Sequence, residues 1–94
     1  MEKSIVTEDM EHCLVCGTTS NIQIHHCIHG RANRKLSDKY GLVVPLCIYH
    51  HTGSNYAVHT NRELDLQIIQ LAQRKFEEKY SHEEFMKVFM KNYL

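Results

Sequence analysis

Two stretches decide the fold: Ile22-Gln23-Ile24-His25-His26, and Gly41-Leu42-Val43-Val44-Pro45-Leu46-Cys47-Ile48-Tyr49-His50-His51. Ile22-Gln23-Ile24 alternates apolar and polar, the period of a half-buried strand. Leu42-Val43-Val44 is mostly β-branched and lies between Gly41 and Pro45, which predicts a second short strand. Between them, Ala32 to Tyr40 is basic and polar and reads as a loop or one or two helical turns. Two short strands followed by a helix at the second histidine pair make a ββα unit.

Working outward, the chain falls into three textures. Residues 1–11 carry Glu2, Glu8, Asp9 and Glu11 against Lys3 and predict a frayed, flexible or loosely helical lead. Residues 12–60 hold all four cysteines, all four glycines, the only proline and seven of the eight histidines. Residues 61–94 contain neither Gly nor Pro and read as helix. There Thr60 and Glu63 have capping-box spacing, as do Ser81 and Glu84. Leu64, Ile68, Leu71, Ala72 and Phe76 follow a 3.6-residue period, and Phe85, Val88, Phe89 and Tyr93 continue it. Helices over about 62–79 and 82–92 therefore form a hairpin that packs on residues 12–60, within one domain over 12–94.

A chain of 94 residues buries a limited fraction of its surface, so a small core gains much from a staple. Eleven Lys and Arg balance eleven Asp and Glu, and no window is long and apolar enough for a membrane span. No signal peptide is visible, so the expectation is a cytoplasmic protein with reduced thiols. Cys13, Cys16 and Cys47 with His50 then form a Cys₃His set of the kind that closes tetrahedrally on structural Zn²⁺. Cys27 is expected to pack inward as a small hydrophobe. A redox role for Cys13-x-x-Cys16 would need a helix starting at Cys13, and Gly17-Thr18-Thr19 reads instead as a knuckle turn.

That assignment leaves His25, His26, His51 and His59. Neighbours on a strand point to opposite faces, so His25 and His26 cannot easily share one ion. One can bind a metal while the other reaches a water, the arrangement that metal-assisted phosphodiester hydrolysis uses. His29 is expected to be exposed or to touch substrate, and His12 to face solvent. The zero total charge also hides a distribution. Residues 25–40 carry Arg31, Arg34, Lys35 and Lys39 against Asp38 alone, beside the paired histidines. Arg31, Arg34 and Lys35 are candidate phosphate contacts, enough for weak, salt-sensitive DNA binding without sequence readout.

The pattern Cys13-Leu14-Val15-Cys16, then Ile22 to His26, then Val44 to His51 resembles the HNH endonucleases. Those enzymes have a treble-clef-like ββα-metal core whose first strand ends in a histidine pair. The runs H-H-C-I-H-G-R-A-N-R-K from His25, Y-G-L-V-V-P-L-C-I-Y-H-H from Tyr40 and A-V-H-T-N-R-E-L-D from Ala57 narrow it further. They are similar to small phage and prophage HNH proteins related to the recombination-enhancement, RecA-dependent nuclease group. The resemblance covers residues 13–94. It implies an α+β fold, a zinc-stapled core followed by a C-terminal helical hairpin. It also implies a one-metal DNA endonuclease leaving 5′-phosphate and 3′-hydroxyl ends, with a recombination or phage DNA-processing protein as partner. His26 would be the general base. His25 and His51 would hold the catalytic metal, Mg²⁺ or Mn²⁺, or Zn²⁺ as purified, with His59 as a further ligand. Asn33 would stand for the family's middle Asn, with Asp38 as the substitute. The sequence departs from the family in two places: no Asn precedes Pro45 at residues 39–42, and eight residues separate His51 from His59. The competing reading is a non-catalytic zinc module that binds DNA or protein.

Overall fold

The computed structural model describes residues 4–53 and 57–94. The elements run β1 (Ile22–His26), α1 (Arg31–Tyr40), β2 (Val43–Cys47), α2 (Ile48–His51), α3 (Arg62–Lys79) and α4 (His82–Phe89). The fold is a small α+β arrangement: one two-stranded sheet, with helices packed around it. None of the described helices is long and apolar enough to cross a membrane.

β1 and β2 pair antiparallel, with Ile22 opposite Cys47, His25 opposite Val44 and His26 opposite Val43. This register sets the last histidines of β1 against the first residues of β2. It also brings the start of β1 beside Cys47. The second strand begins one residue later than Leu42 and runs through Pro45 to Cys47. A proline interrupts a ladder only where its missing N–H is needed, and each strand of a two-stranded sheet has a free side. All five residues of β2 are buried, so the strand lacks the alternation that marks a half-exposed one.

Residues 31–40 form a ten-residue helix, longer than the loop or one or two helical turns expected there. Its stop is Gly41, left-handed at φ 73°, whose N–H bonds back to the Asp38 and Ser37 carbonyls. Ser37 is fully buried, and its hydroxyl both donates to the Ile28 carbonyl and accepts from the Ile28 N–H. Leu36 and Tyr40 pack against the core. These tertiary contacts, rather than local propensity, hold a polar segment helical.

The acidic lead is tied down from Ser4 onward. The Ser4 hydroxyl donates to the Val43 carbonyl, the Ile5 N–H donates to Gly41, and Val6 joins the core. A frayed lead was the sequence expectation; the Ile5-Val6 pair docks this stretch on the start of β2.

α3 and α4 form the hairpin. Ile68, Ile69, Ala72 and Phe76 from α3 meet Phe85 and Phe89 from α4. Phe76 sits edge-on to Phe85 at 5.3 Å and to Tyr40 of α1 at 5.3 Å, which joins the hairpin to the sheet unit. Such edge-to-face pairs add to the area they bury. Buried Gln73 is fully used: its amide donates to Glu77 and Asn92, and its oxygen accepts the Tyr93 N–H. α4 ends at Phe89, short of the expected 92, because Met90 turns left-handed at φ 58°.

The helix starts differ from each other. At α3 the cap is Asn61, whose side chain accepts the Leu64 N–H, and Thr60 instead donates to the Ala57 carbonyl. At α4 the expected Ser81 cap is present, accepting from the Glu84 N–H at 3.0 Å. Ser81→Ala is expected to destabilise the domain by about 1 kcal/mol, a drop of roughly 4–8 °C in the thermal midpoint. An unchanged melting curve would show that this cap carries no weight.

Candidate functional site

Two groups of donors flank the sheet. The first is built by the knuckle at 13–18 and the turn after β2. Gly17 (φ 79°) lets the knuckle close, with its N–H on the Cys13 carbonyl and the Cys13 N–H on Thr18. The Leu14 N–H donates to Pro45, which fastens the knuckle to β2. Cys47 ends that strand, and His50 sits in the one-turn helix after it.

The sulfurs of Cys16 and Cys47 lie 3.7 Å apart. The His50 Nδ1 is 3.4 Å from the Cys47 sulfur and 3.8 Å from that of Cys13. With Zn–S near 2.3 Å and Zn–N near 2.0–2.1 Å, a tetrahedron has edges of about 3.8 Å between sulfurs and about 3.6 Å between sulfur and nitrogen. The observed spacings match those edges, so Cys13, Cys16, Cys47 and His50 lie as a zinc site requires. All four cysteines of the chain are free thiols. Burial raises the Cys13 thiol, but the backbone N–H groups of Cys47, Cys16 and Val15 outweigh it and bring its pKa to about 6. A thiolate is the metal-binding form. Cys27 is fully buried, and burial pushes its thiol well above the ordinary range, as an inert packing residue requires.

The second group is histidine. β1 sends His25 into the interior, 2% exposed, and sends His26 to the opposite face. The rings of His51 and His59 approach that of His25 edge-on at 5.3 and 5.4 Å. The Nε2 atoms of His51 and His59 are 3.2 Å apart. The His51 Nδ1–H donates to the Gln23 oxygen at 2.6 Å, which leaves Nε2 as the lone-pair nitrogen. The Nε2 of His25 is buried and has no hydrogen-bond partner among the described residues. Burial first, then the neighbouring His29, His51, His59 and His26, push the His25 pKa down to about 3. Burial, with His59 and His26, also lowers His51.

Three imidazoles facing one another, one with an orphaned buried nitrogen, are a donor set that a divalent ion satisfies. A buried nitrogen left unpaired otherwise costs about 1–3 kcal/mol. His25, His51 and His59 therefore fit the metal role expected of them.

His26 is 18% exposed, and its Nε2 meets the Asp38 carboxylate at 2.7 Å. Asp38 comes from α1, one turn after Arg34 and Lys35. Asn33 lies elsewhere: its amide donates to the His29 carbonyl at 2.8 Å, pinning the loop after β1. It does not line the cleft and does not reach His26. Asp38, weighed as its substitute, is the residue that holds the candidate base.

His25, His26, His29, His51, His59, Arg31, Arg34, Lys35 and Asp38 line one cleft of about 810 Å³. The three cations thus share a wall with the histidines. Two residues that the sequence did not single out as partners also act here. Gln23 orients His51, and Asp65 of α3 holds His29 at 2.6 Å. His29 is exposed, as expected, and on the cleft wall its ring is held by the Asp65 carboxyl group. Gln23 could have been found from its place two residues before His25, on the same face of β1. Asp65 carries no such signal. His12 pairs with Asp9 and His82 with Glu77, both away from the cleft.

Comparison with protein-family models, curated proteins and solved structures gives no match for this chain.

Proposed function

We propose that this protein is a metal-dependent DNA endonuclease of the HNH type, weakly selective or non-selective for sequence, and of phage or prophage descent. One observation carries the reading. A carboxylate-bound histidine, an imidazole cluster with an unpartnered buried nitrogen on His25, and three cations share a single cleft. Each part has a duty in phosphodiester hydrolysis.

The Asp38 carboxylate accepts a hydrogen bond from the His26 Nε2–H and fixes the ring. Nδ1 is then the basic nitrogen, placed to take a proton from a water. Arg31, Arg34 and Lys35 bind backbone phosphates and hold the scissile bond against the cleft floor. A divalent ion held by His25, His51 and His59 would supply stabilisation of the negative charge on the phosphate and on the leaving oxygen. The Cys₃His group keeps β2 and the start of α2 in place, which sets His51 against His25.

The test is supercoiled plasmid incubated with Mg²⁺, with Mn²⁺, and with EDTA. Nicked and linear products with a metal and none with EDTA are expected. Intact plasmid under every metal, with DNA still bound, would favour a zinc-stapled binding module instead.

A further inference from the structure

The histidine cluster contains more donors than the proposed hydrolysis uses. His29 and Asp65 also adjoin His25. The His25 and His29 rings are 5.5 Å apart. His25, His29 and Asp65 each offer one donor atom, and all three donors fall within 4.8 Å of one another. Ligands on opposite sides of one ion are separated by about 4.2–4.4 Å when metal–ligand bonds are 2.1–2.2 Å. For the triad to close on an ion, the 2.6 Å hydrogen bond between His29 and Asp65 must open so that both donors face it.

Two further features distinguish the triad from a surface carboxylate beside a histidine. Asp65 is only 8% exposed, although its side chain is a carboxylic acid. Among the described residues its side chain has one hydrogen bond, with the His29 Nε2, which leaves most of the lone pairs of a carboxylate unused. The third residue is His25, whose Nε2 is buried and has no hydrogen-bond partner among the described residues.

We infer that His25, His29 and Asp65 form a second cation seat, adjoining the His25, His51 and His59 seat and competing with it. The competition follows from His25. Its Nε2 has one lone pair, so it serves one ion at a time. The seats also differ in chemistry. Three imidazoles favour Zn²⁺, whereas a seat with a carboxylate suits the harder Mn²⁺. An ion in the second seat replaces the hydrogen bond between His29 and Asp65. The centre therefore takes one ion, and the identity of the metal decides where it sits.

The experiment reads binding, not cleavage. Protein retaining its Cys-bound zinc is titrated with Mn²⁺, followed by the loss of the free-ion paramagnetic resonance signal, and separately with Zn²⁺. Asp65→Asn and His29→Gln are expected to weaken Mn²⁺ binding about 10–100-fold and to leave the second Zn²⁺ nearly unchanged. His51→Gln is expected to do the reverse. Added Zn²⁺ should displace Mn²⁺ from the wild-type protein. Circular dichroism verifies that each variant is folded, and the two variants of the new seat guard against a local failure of either.

The inference is overturned if the wild-type protein binds no Mn²⁺. It is equally overturned if His51→Gln abolishes Mn²⁺ binding while Asp65→Asn and His29→Gln leave it intact, or if both ions bind together at the histidines. Because cleavage is not read, a protein that shows this pattern and cuts no DNA would sink the nuclease proposal and leave the second seat standing.

Discussion

His26→Ala is expected to lower plasmid nicking by about 10²–10⁴-fold while DNA binding is retained. The separation of the two effects follows from the cleft. His26 lies on the face of β1 opposite His25, so alanine there leaves the His25, His51 and His59 donors in place. The backbone pairing of His26 with Val43 does not depend on the imidazole. Arg31, Arg34 and Lys35 stand on α1 and are left in place for the phosphate contacts proposed for them. The variant loses one group: the ring that Asp38 holds at 2.7 Å. Asp38→Asn, which keeps a hydrogen-bond acceptor and removes the charge, should cost less than His26→Ala. Nicking by His26→Ala at the wild-type rate would show that another group, or solvent, takes the proton. Loss of DNA binding alongside cleavage would place His26 in substrate binding instead.

The two donor groups differ in how far the sequence disclosed them. Cys13, Cys16, Cys47 and His50 were legible because each pair is local: a knuckle and a turn each fix two donors within three residues. The strand register then had only to bring two preformed halves together. His25, His51 and His59 were separable by elimination and resemblance. Asp65 was invisible, because an acidic residue in the first turn of a helix is ordinary stabilisation of that terminus. Only the packing of α3 beside the loop after β1 turns it toward His29. The middle residue shows the same limit. Asn33 and Asp38 lie on one helix, and the segment read as a loop or one or two helical turns. Helical geometry places residues 34, 35 and 38 on the cleft wall and turns Asn33 back toward the His29 carbonyl. The lead misled for a related reason. Its acidic charge suggested solvent, but two apolar residues, Ile5 and Val6, decide its position.

Removal of metal from the Cys₃His group should have the larger effect on the molecule as a whole. A chelator strong enough to extract the ion, or Cys47→Ser, is expected to abolish the cooperative thermal transition. Restoring Zn²⁺ to the wild-type protein should bring it back. The sheet consists of only two five-residue strands, and two strands alone are marginal in water. Net stabilities of domains are about 5–15 kcal/mol, whereas structural zinc contributes about 10–16 kcal/mol of apparent binding free energy in small zinc domains. A term of that size exceeds what this core can lose. The consequence should be uneven along the chain. The aromatic contacts of Phe76, Phe85 and Phe89 lie within the hairpin and do not touch the ion. Far-ultraviolet dichroism should therefore retain part of its helical signal after extraction, while the sheet and the histidine cleft are lost together. His50 and His51 are adjacent, so releasing the first from its ion frees the second from its place against His25 and Gln23. A chelated protein that melts at the same temperature as the zinc-loaded one would mean that the hairpin and the lead suffice to hold the sheet.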